Sequence, residues 1–130
     1  DGGASWAESF PAEAHFTSLH DGGGGAIWMA SQYGGLWRSV DEGVSWTALR
    51  NPQTSFSSVG FRDITEDDQG ILWLAGDRGT LAYSTDDGRN LQFLEISDTY
   101  DIRAIAVVNQ QILLATRTGE ILWVAYPEEL

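Results

Sequence analysis

Arg62, Arg78, Arg103 and Arg117 are four of only seven basic residues in this chain, all of them arginine, set against nineteen acidic residues. The chemistry such a group offers is anion capture, because a guanidinium presents a planar fork of N–H donors that grips a carboxylate through two bonds at once. A carboxylate side chain, an acidic peptide or a chain terminus would suit it, with Tyr33 and Tyr100 as aromatic contacts at its flank. The competing expectation is that each arginine pairs with nearby Asp63, Asp77 or Asp101 and only ties segments of the chain together.

Other chemistry is thinly represented. Asp63 and Asp101 are the carboxylates that an opposed glycosidase pair would use, but with acidic residues so plentiful any such pair is easily found. "TEDDQG" (65–70) is too short for the twelve-residue calcium loop and lacks its closing Glu, so it reads as a solvated turn. "HDGGGG" (20–25) has no strand-to-helix context in which its glycines would cradle a phosphate. His15 and His20 lack ligand spacing and read as structural residues. With no cysteine, disulfides, thiolate metal sites and cysteine nucleophiles are excluded. No catalytic residue, metal or cofactor is assigned. The net charge of −12 opposes binding along a nucleic-acid backbone or an anionic membrane. No apolar run approaches the roughly 18 residues of a membrane span. The chain starts at Asp1, inside a motif, and is expected to be a processed chain or a piece of something longer.

The elements that would position the arginines come from a repeat. A shift of 45 carries Phe16 onto Phe61, Leu19 onto Ile64, Trp28 onto Trp73, Ala30 onto Ala75, Gly34 onto Gly79 and Leu36 onto Leu81. A third unit follows at a shift of 40 to 41, through Ile102, Ile105, Ala115, Gly119 and Ile121. A period of 40 to 45 residues belongs to β-propeller blades, each a four-stranded antiparallel sheet. Short apolar runs bounded by turn residues, "AIWMAS" (26–31), "ILWLAG" (71–76) and "ILLAT" (112–116), suit strands buried on both faces.

The expectation is therefore an all-β chain of about three four-stranded antiparallel blades, a partial propeller or half of an oligomeric ring. Its units fall at 1–10 (partial), 11–55, 56–97 and 98–130 of a single segment, 1–130. Within the second full unit, strands a to d are expected at 58–65, 71–76, 80–85 and 90–96. A leading d strand at 6–10 brings the expected total to about twelve. In such a meander the b–c and d–a loops share a front face, where the four arginines and two tyrosines gather.

The back face is marked by a second motif. "SVDEGVSWTAL" (39–49) and "STDDGRNLQFL" (84–94) repeat Ser, Asp and Gly at the same offsets. Asp41 and Asp86 are suited to accept amides ahead of them, and Gly43 and Gly88 to take a positive φ in the turn between strands c and d. Ser39 and Ser84 tie the end of strand c to that turn, and Trp46 covers it, with Leu91 at the same place in the second copy. Asp1, Gly3 and Trp6 look like a copy that lacks its opening positions. In the third unit Val124-Ala125-Tyr126 replaces the motif.

These motifs resemble Asp-boxes, or BNR repeats, of the S/T-x-D-x-G-x-x-W type, and "LWLAGDRGTLAYSTDDGRN" is most similar to the photosystem II stability and assembly factor family. The resemblance implies a propeller that acts as a non-catalytic scaffold for a protein or acidic-peptide partner, in the periplasm, a lumen or outside the cell. Asp-boxes also occur in sialidases and other glycosidases, and "FRDI" (61–64) resembles, without its proline, the Phe-Arg-Ile-Pro element of sialidases. The alternative implied is a fragment of a carbohydrate-active enzyme whose catalytic residues lie largely outside the chain. Three blades alone leave unpaired edges, so a homo-oligomer that closes the ring is a further expectation.

Overall fold

A computed structural model describes residues 14–52, 60–128 and 130. Eleven strands lie among them: β1 (Phe16–Gly23), β2 (Ala26–Ser31), β3 (Leu36–Ser39), β4 (Thr47–Arg50), β5 (Phe61–Glu66), β6 (Leu72–Gly76), β7 (Thr80–Ser84), β8 (Gln92–Glu95), β9 (Ile102–Val108), β10 (Gln111–Thr116) and β11 (Ile121–Ala125). They form antiparallel meanders in the orders β1-β2-β3-β4, β5-β6-β7-β8 and β9-β10-β11. Asp1, Gly3, Trp6 and the expected strand at 6–10 lie outside the described residues. Strand β8 is shorter than the 90–96 expected, because Asn90 belongs to the preceding turn, where its amide and side chain both bond to Asp86.

The sheets stack face to face through two seams of one pattern. At the first, Trp28, Ala30 and Leu36 meet Phe61, Ile64, Leu72 and Leu74. At the second, Trp73, Ala75, Leu81 and Tyr83 meet Ile102, Ile105, Ile112 and Leu114. Each sheet thus has a leading face toward the sheet before it and a trailing face toward the sheet after it. Strand β6 explains why its sequence is apolar throughout: alternate side chains point to opposite faces, so Leu72 and Leu74 enter one seam while Trp73 and Ala75 enter the other. Among the described residues, strand β10 has a neighbouring sheet on one face only. Ile112, Leu114 and Thr116 are buried while the residues between them are partly open, so the expectation of burial on both faces fails for "ILLAT".

The first strands of the three sheets, β1, β5 and β9, run side by side. Each carries a bulge at the same register, between Phe16 and Ser18, between Phe61 and Asp63, and opposite the Ala115/Thr116 step in β9. The extra residue is Thr17, Arg62 and Arg103 in turn. A bulge re-aims the side chain of the added residue, and Thr17 uses this to donate to the Phe61 carbonyl of the next sheet at 2.5 Å. Asp63 binds all three sheets: its carboxylate accepts Ser18 Oγ at 3.3 Å, its neighbour's amide Ile64 N at 2.9 Å and Ile105 N at 2.9 Å.

The c–d turns close as latches. Ser39 Oγ donates to Asp41 Oδ1 at 2.8 Å and accepts the Gly43 amide at 2.8 Å, while Asp41 accepts the Ser45 amide at 2.8 Å and the Ser45 hydroxyl. Trp46 Nε1 donates to the Gly43 carbonyl at 3.1 Å. In the second copy Ser84 Oγ donates to Asp86 Oδ1 at 2.7 Å and accepts the Gly88 amide at 2.9 Å, with Asn90 in the role of Ser45. Gly88 has a further duty, for a Cβ there would lie 2.8 Å from the Trp28 ring, so the turn of the second sheet is seated on the first. Leu91 packs against the same seam.

These bonds hold both aspartates well below the usual carboxylate value, to about 2: Asp41 chiefly through the Ser45 hydroxyl and amide, Asp86 chiefly through the Asn90 side chain and amide. A carboxyl with a lowered folded-state pKa contributes its stability fully above the ordinary range near 4 and loses it as pH falls through the folded value. Stability is therefore expected to decline between about pH 4 and about pH 2 as the latches protonate. Urea titrations across that window are expected to show a flatter decline in the Asp41→Asn, Asp86→Asn double variant; an unaltered pH profile would contradict the assignment.

Candidate front-face binding site

The b–c connections put their residues beside the entry of the first strand. The Gln32, Asp77 and Arg117 amides donate to the carbonyls of His15, Gly60 and Asp101 at 2.9, 3.0 and 2.8 Å, so the same closure recurs in every sheet. Tyr33 and Arg78 occupy the apex of these loops in the left-handed conformation, at φ 61° and 57°. Such backbone is uncommon outside glycine, and it turns both residues outward: Tyr33 is half exposed and Arg78 exposed.

Between the second and third sheets the site is held by backbone and carboxylate together. The Gly79 amide donates to the Tyr100 carbonyl at 2.6 Å, and the Arg78 amide donates to Asp101 Oδ1 at 3.1 Å. Arg62 grips Asp77 through Nε and Nη2 at 3.0 and 3.1 Å. That bidentate bond outweighs the effect of burial and holds the Arg62 guanidinium above its usual value. Arg117 Nη1 lies 3.8 Å from Asp101 Oδ2, a looser and more exposed pair. The structure thus brings Arg62, Arg78 and Arg117 together through Asp77 and Asp101. Arg103, two residues beyond Asp101, is exposed, and its guanidinium makes no hydrogen bond or ion pair among the described residues.

The opposite face contains a contact that the sequence did not announce. Asp67 accepts Tyr126 Oη at 2.6 Å, Trp73 Nε1 at 3.2 Å and the amides of Gln69 and Ile71 at 2.9 Å each. Burial raises the Asp67 carboxyl, but the bonds from Tyr126, Ile71, Trp73 and Gln69 prevail and leave it lowered, while burial and Asp67 push the Tyr126 phenol up. The tyrosine that replaces the third turn motif therefore fastens the last strand onto the second sheet. Among the described residues no cluster of three or more potential ligands could hold a metal ion.

Recurring antiparallel meanders, stacked through equivalent seams around neighbouring first strands, define a β-propeller blade array. Among solved structures it is similar to YCF48 in a complex described as bound to a D1 peptide, at 16% identity and a TM-score of 0.58, over 95% of this chain and 42% of that one. It is also similar to YCF48 from Cyanidioschyzon merolae, at 18% identity and 0.63, over 98% and 44%. A GH74 enzyme from Niastella koreensis matches at 15% identity and 0.65, over 80% and 18%. At these identities the likeness establishes the fold, and the chain spans less than half the length of each of these proteins. No family model and no curated protein matches the sequence.

Proposed function

We propose that the chain is a non-catalytic scaffold whose front face binds an acidic segment of a protein or peptide. The observation that carries this reading is Arg103: an exposed guanidinium without a partner among the described residues, beside a face where Arg62 is already held in place by Asp77. A neighbour fixed in advance spares a ligand the cost of ordering it, and the proposal assigns Tyr33 and Tyr100 as its aromatic contacts. The YCF48 structure supports the reading, because that protein, similar in fold, is described as bound to a D1 peptide. The proposal extends, through the resemblance to photosystem II assembly factors, to an extracytoplasmic setting. No helix among the described residues is long and apolar enough to cross a membrane.

The GH74 likeness favours a second reading, a blade segment from a carbohydrate-active enzyme with its catalytic residues largely elsewhere. Asp63 and Asp101 do not support it. The first is engaged by Ser18, Ile64 and Ile105, and the second by Arg78 and Arg117, so neither is placed as a proton donor or nucleophile.

The experiment is calorimetric titration of an acidic peptide library against Arg62→Ala, Arg78→Ala, Arg103→Ala and Arg117→Ala. Arg103→Ala is expected to weaken binding about tenfold or more, as arginines at binding hot spots do. Unchanged binding in all four variants overturns the proposal.

A further inference from the structure

The first seam leaves open a place that the second seam fills. In the second, Tyr83 lies opposite Trp73 in the strand register, packs on it with ring centroids 5.2 Å apart and is only 7% exposed. In the first, the residue opposite Trp28 in the same register is Arg38, whose guanidinium lies 5.1 Å from the centroid of the Trp28 ring. An arginine thus stands where the repeat elsewhere puts an aromatic ring, and beside it is a cleft of about 260 Å³. Arg38 and Thr47 line it from the first sheet, and Asp87 and Arg89 line it from the latch of the second.

The charges at this cleft are unmatched. Arg38 Nε is buried with no hydrogen-bond partner, and among the described residues neither guanidinium forms an ion pair, with Asp87 or with any other acid. The Trp28 ring partly offsets the Arg38 charge but gives its N–H groups no acceptor, and half-buried donors left without one are costly.

We propose that the cleft binds a small ligand that carries a carboxylate together with a hydrogen-bond donor such as an ammonium or a hydroxyl. The two guanidiniums take the carboxylate through charge-assisted bonds, the Thr47 hydroxyl adds a donor, and Asp87 accepts from the ligand's own donor. Asp87 also sets the charge that fits, because it repels a dianion such as phosphate while a ligand with groups of both kinds finds a partner for each. Gly88, in the same latch as Asp87 and Arg89, is seated against the Trp28 ring, so the two walls are fixed before a ligand arrives. The site uses none of the front-face residues and stands apart from the peptide reading.

The test is a titration followed by nitrogen-edited NMR at constant ionic strength. The probes are β-alanine, propionate, which lacks the ammonium, and inorganic phosphate. β-Alanine is expected to shift the side-chain N–H signals of Arg38 and Arg89 saturably, and propionate and phosphate to bind severalfold more weakly. Arg89→Ala, at an exposed position, is expected to weaken β-alanine binding about tenfold, the usual effect of losing a hydrogen bond to a charged group. Arg38→Tyr copies the second seam and is expected to close the cleft and abolish binding, whereas Arg103→Ala on the front face is expected to change nothing. The absence of a saturable shift at the cleft overturns the proposal. So does binding that is unaltered in Arg89→Ala, or propionate or phosphate that binds as tightly as β-alanine. If Arg38→Tyr misfolds, Arg89→Ala and the comparison of probes decide.

Discussion

Trp73→Ala is expected to destabilise the chain by about 3–5 kcal/mol, the usual cost of emptying a large buried aromatic site. Trp73 is fully buried in the second seam, its ring centroid 5.2 Å from that of Tyr83 and 5.3 Å from that of Tyr126. Its removal empties the centre of that seam and deletes the indole bond to Asp67. The aspartate still keeps Tyr126 and two amides, so no buried charge is orphaned and the loss is one of packing. With small domains stable by only about 5–15 kcal/mol, a loss of this size takes a large share of the total. Urea unfolding checks it: the midpoint should fall with little change in slope, and a loss under about 1 kcal/mol would mean that Trp73 does not hold the second and third sheets together.

Gly79→Ala is expected to cost about 2–5 kcal/mol, and Gly119→Ala only about 1–2 kcal/mol. Both glycines have a left-handed φ, +68° and +97°, and both substitutions incur the penalty a side chain meets there. They differ in surroundings. A Cβ at Gly79 would lie 2.3 Å from the Ser97 carbonyl oxygen and 2.8 Å from that of Ile96, whereas nothing lies within 4 Å at Gly119. Backbone cannot swing aside as a side chain can, so at Gly79 the segment that follows β8 must move and the amide bond to the Tyr100 carbonyl lengthens or breaks. The same substitution should therefore impair the binding proposed for the front face, and Gly119→Ala should leave it nearly intact. Equal destabilisation by the two would contradict this account, and paired urea unfolding with peptide titration measures both effects.

How far these features could be read from the residues depended on how local their causes are. The turn latches close within seven residues, and each donor and acceptor in them is dictated by neighbours along the chain, so Ser39, Asp41, Gly43 and Trp46 announce their geometry. The repeat likewise exposes the equivalence of Arg62 and Arg103, because one period of the chain brings each to the same strand. The pairing of Arg62 with Asp77 was among the expected alternatives. Missed were contacts that depend on how one sheet sits on the next. Asp63 was expected as an arginine's partner or as half of an opposed carboxylate pair and is instead the acceptor that joins three sheets. Tyr126 looked like the residue of a lost motif, yet its hydroxyl finds Asp67, which lies 59 positions earlier. The left-handed backbone of Glu42 and Asp87, at φ 61° and 59°, also went unread. In the sequence only the glycine after each, Gly43 or Gly88, signals a positive φ in the turn.

The bulge shared by β1, β5 and β9 separates two tasks that most strand positions combine. A residue added at that point leaves the alternation on either side intact, so its identity is free of the demands of the apolar seams. Threonine at 17 and arginine at 62 and 103 show how widely chemistry there can vary while the scaffold stays the same. One position per sheet is thereby open to substitution without rebuilding the interior.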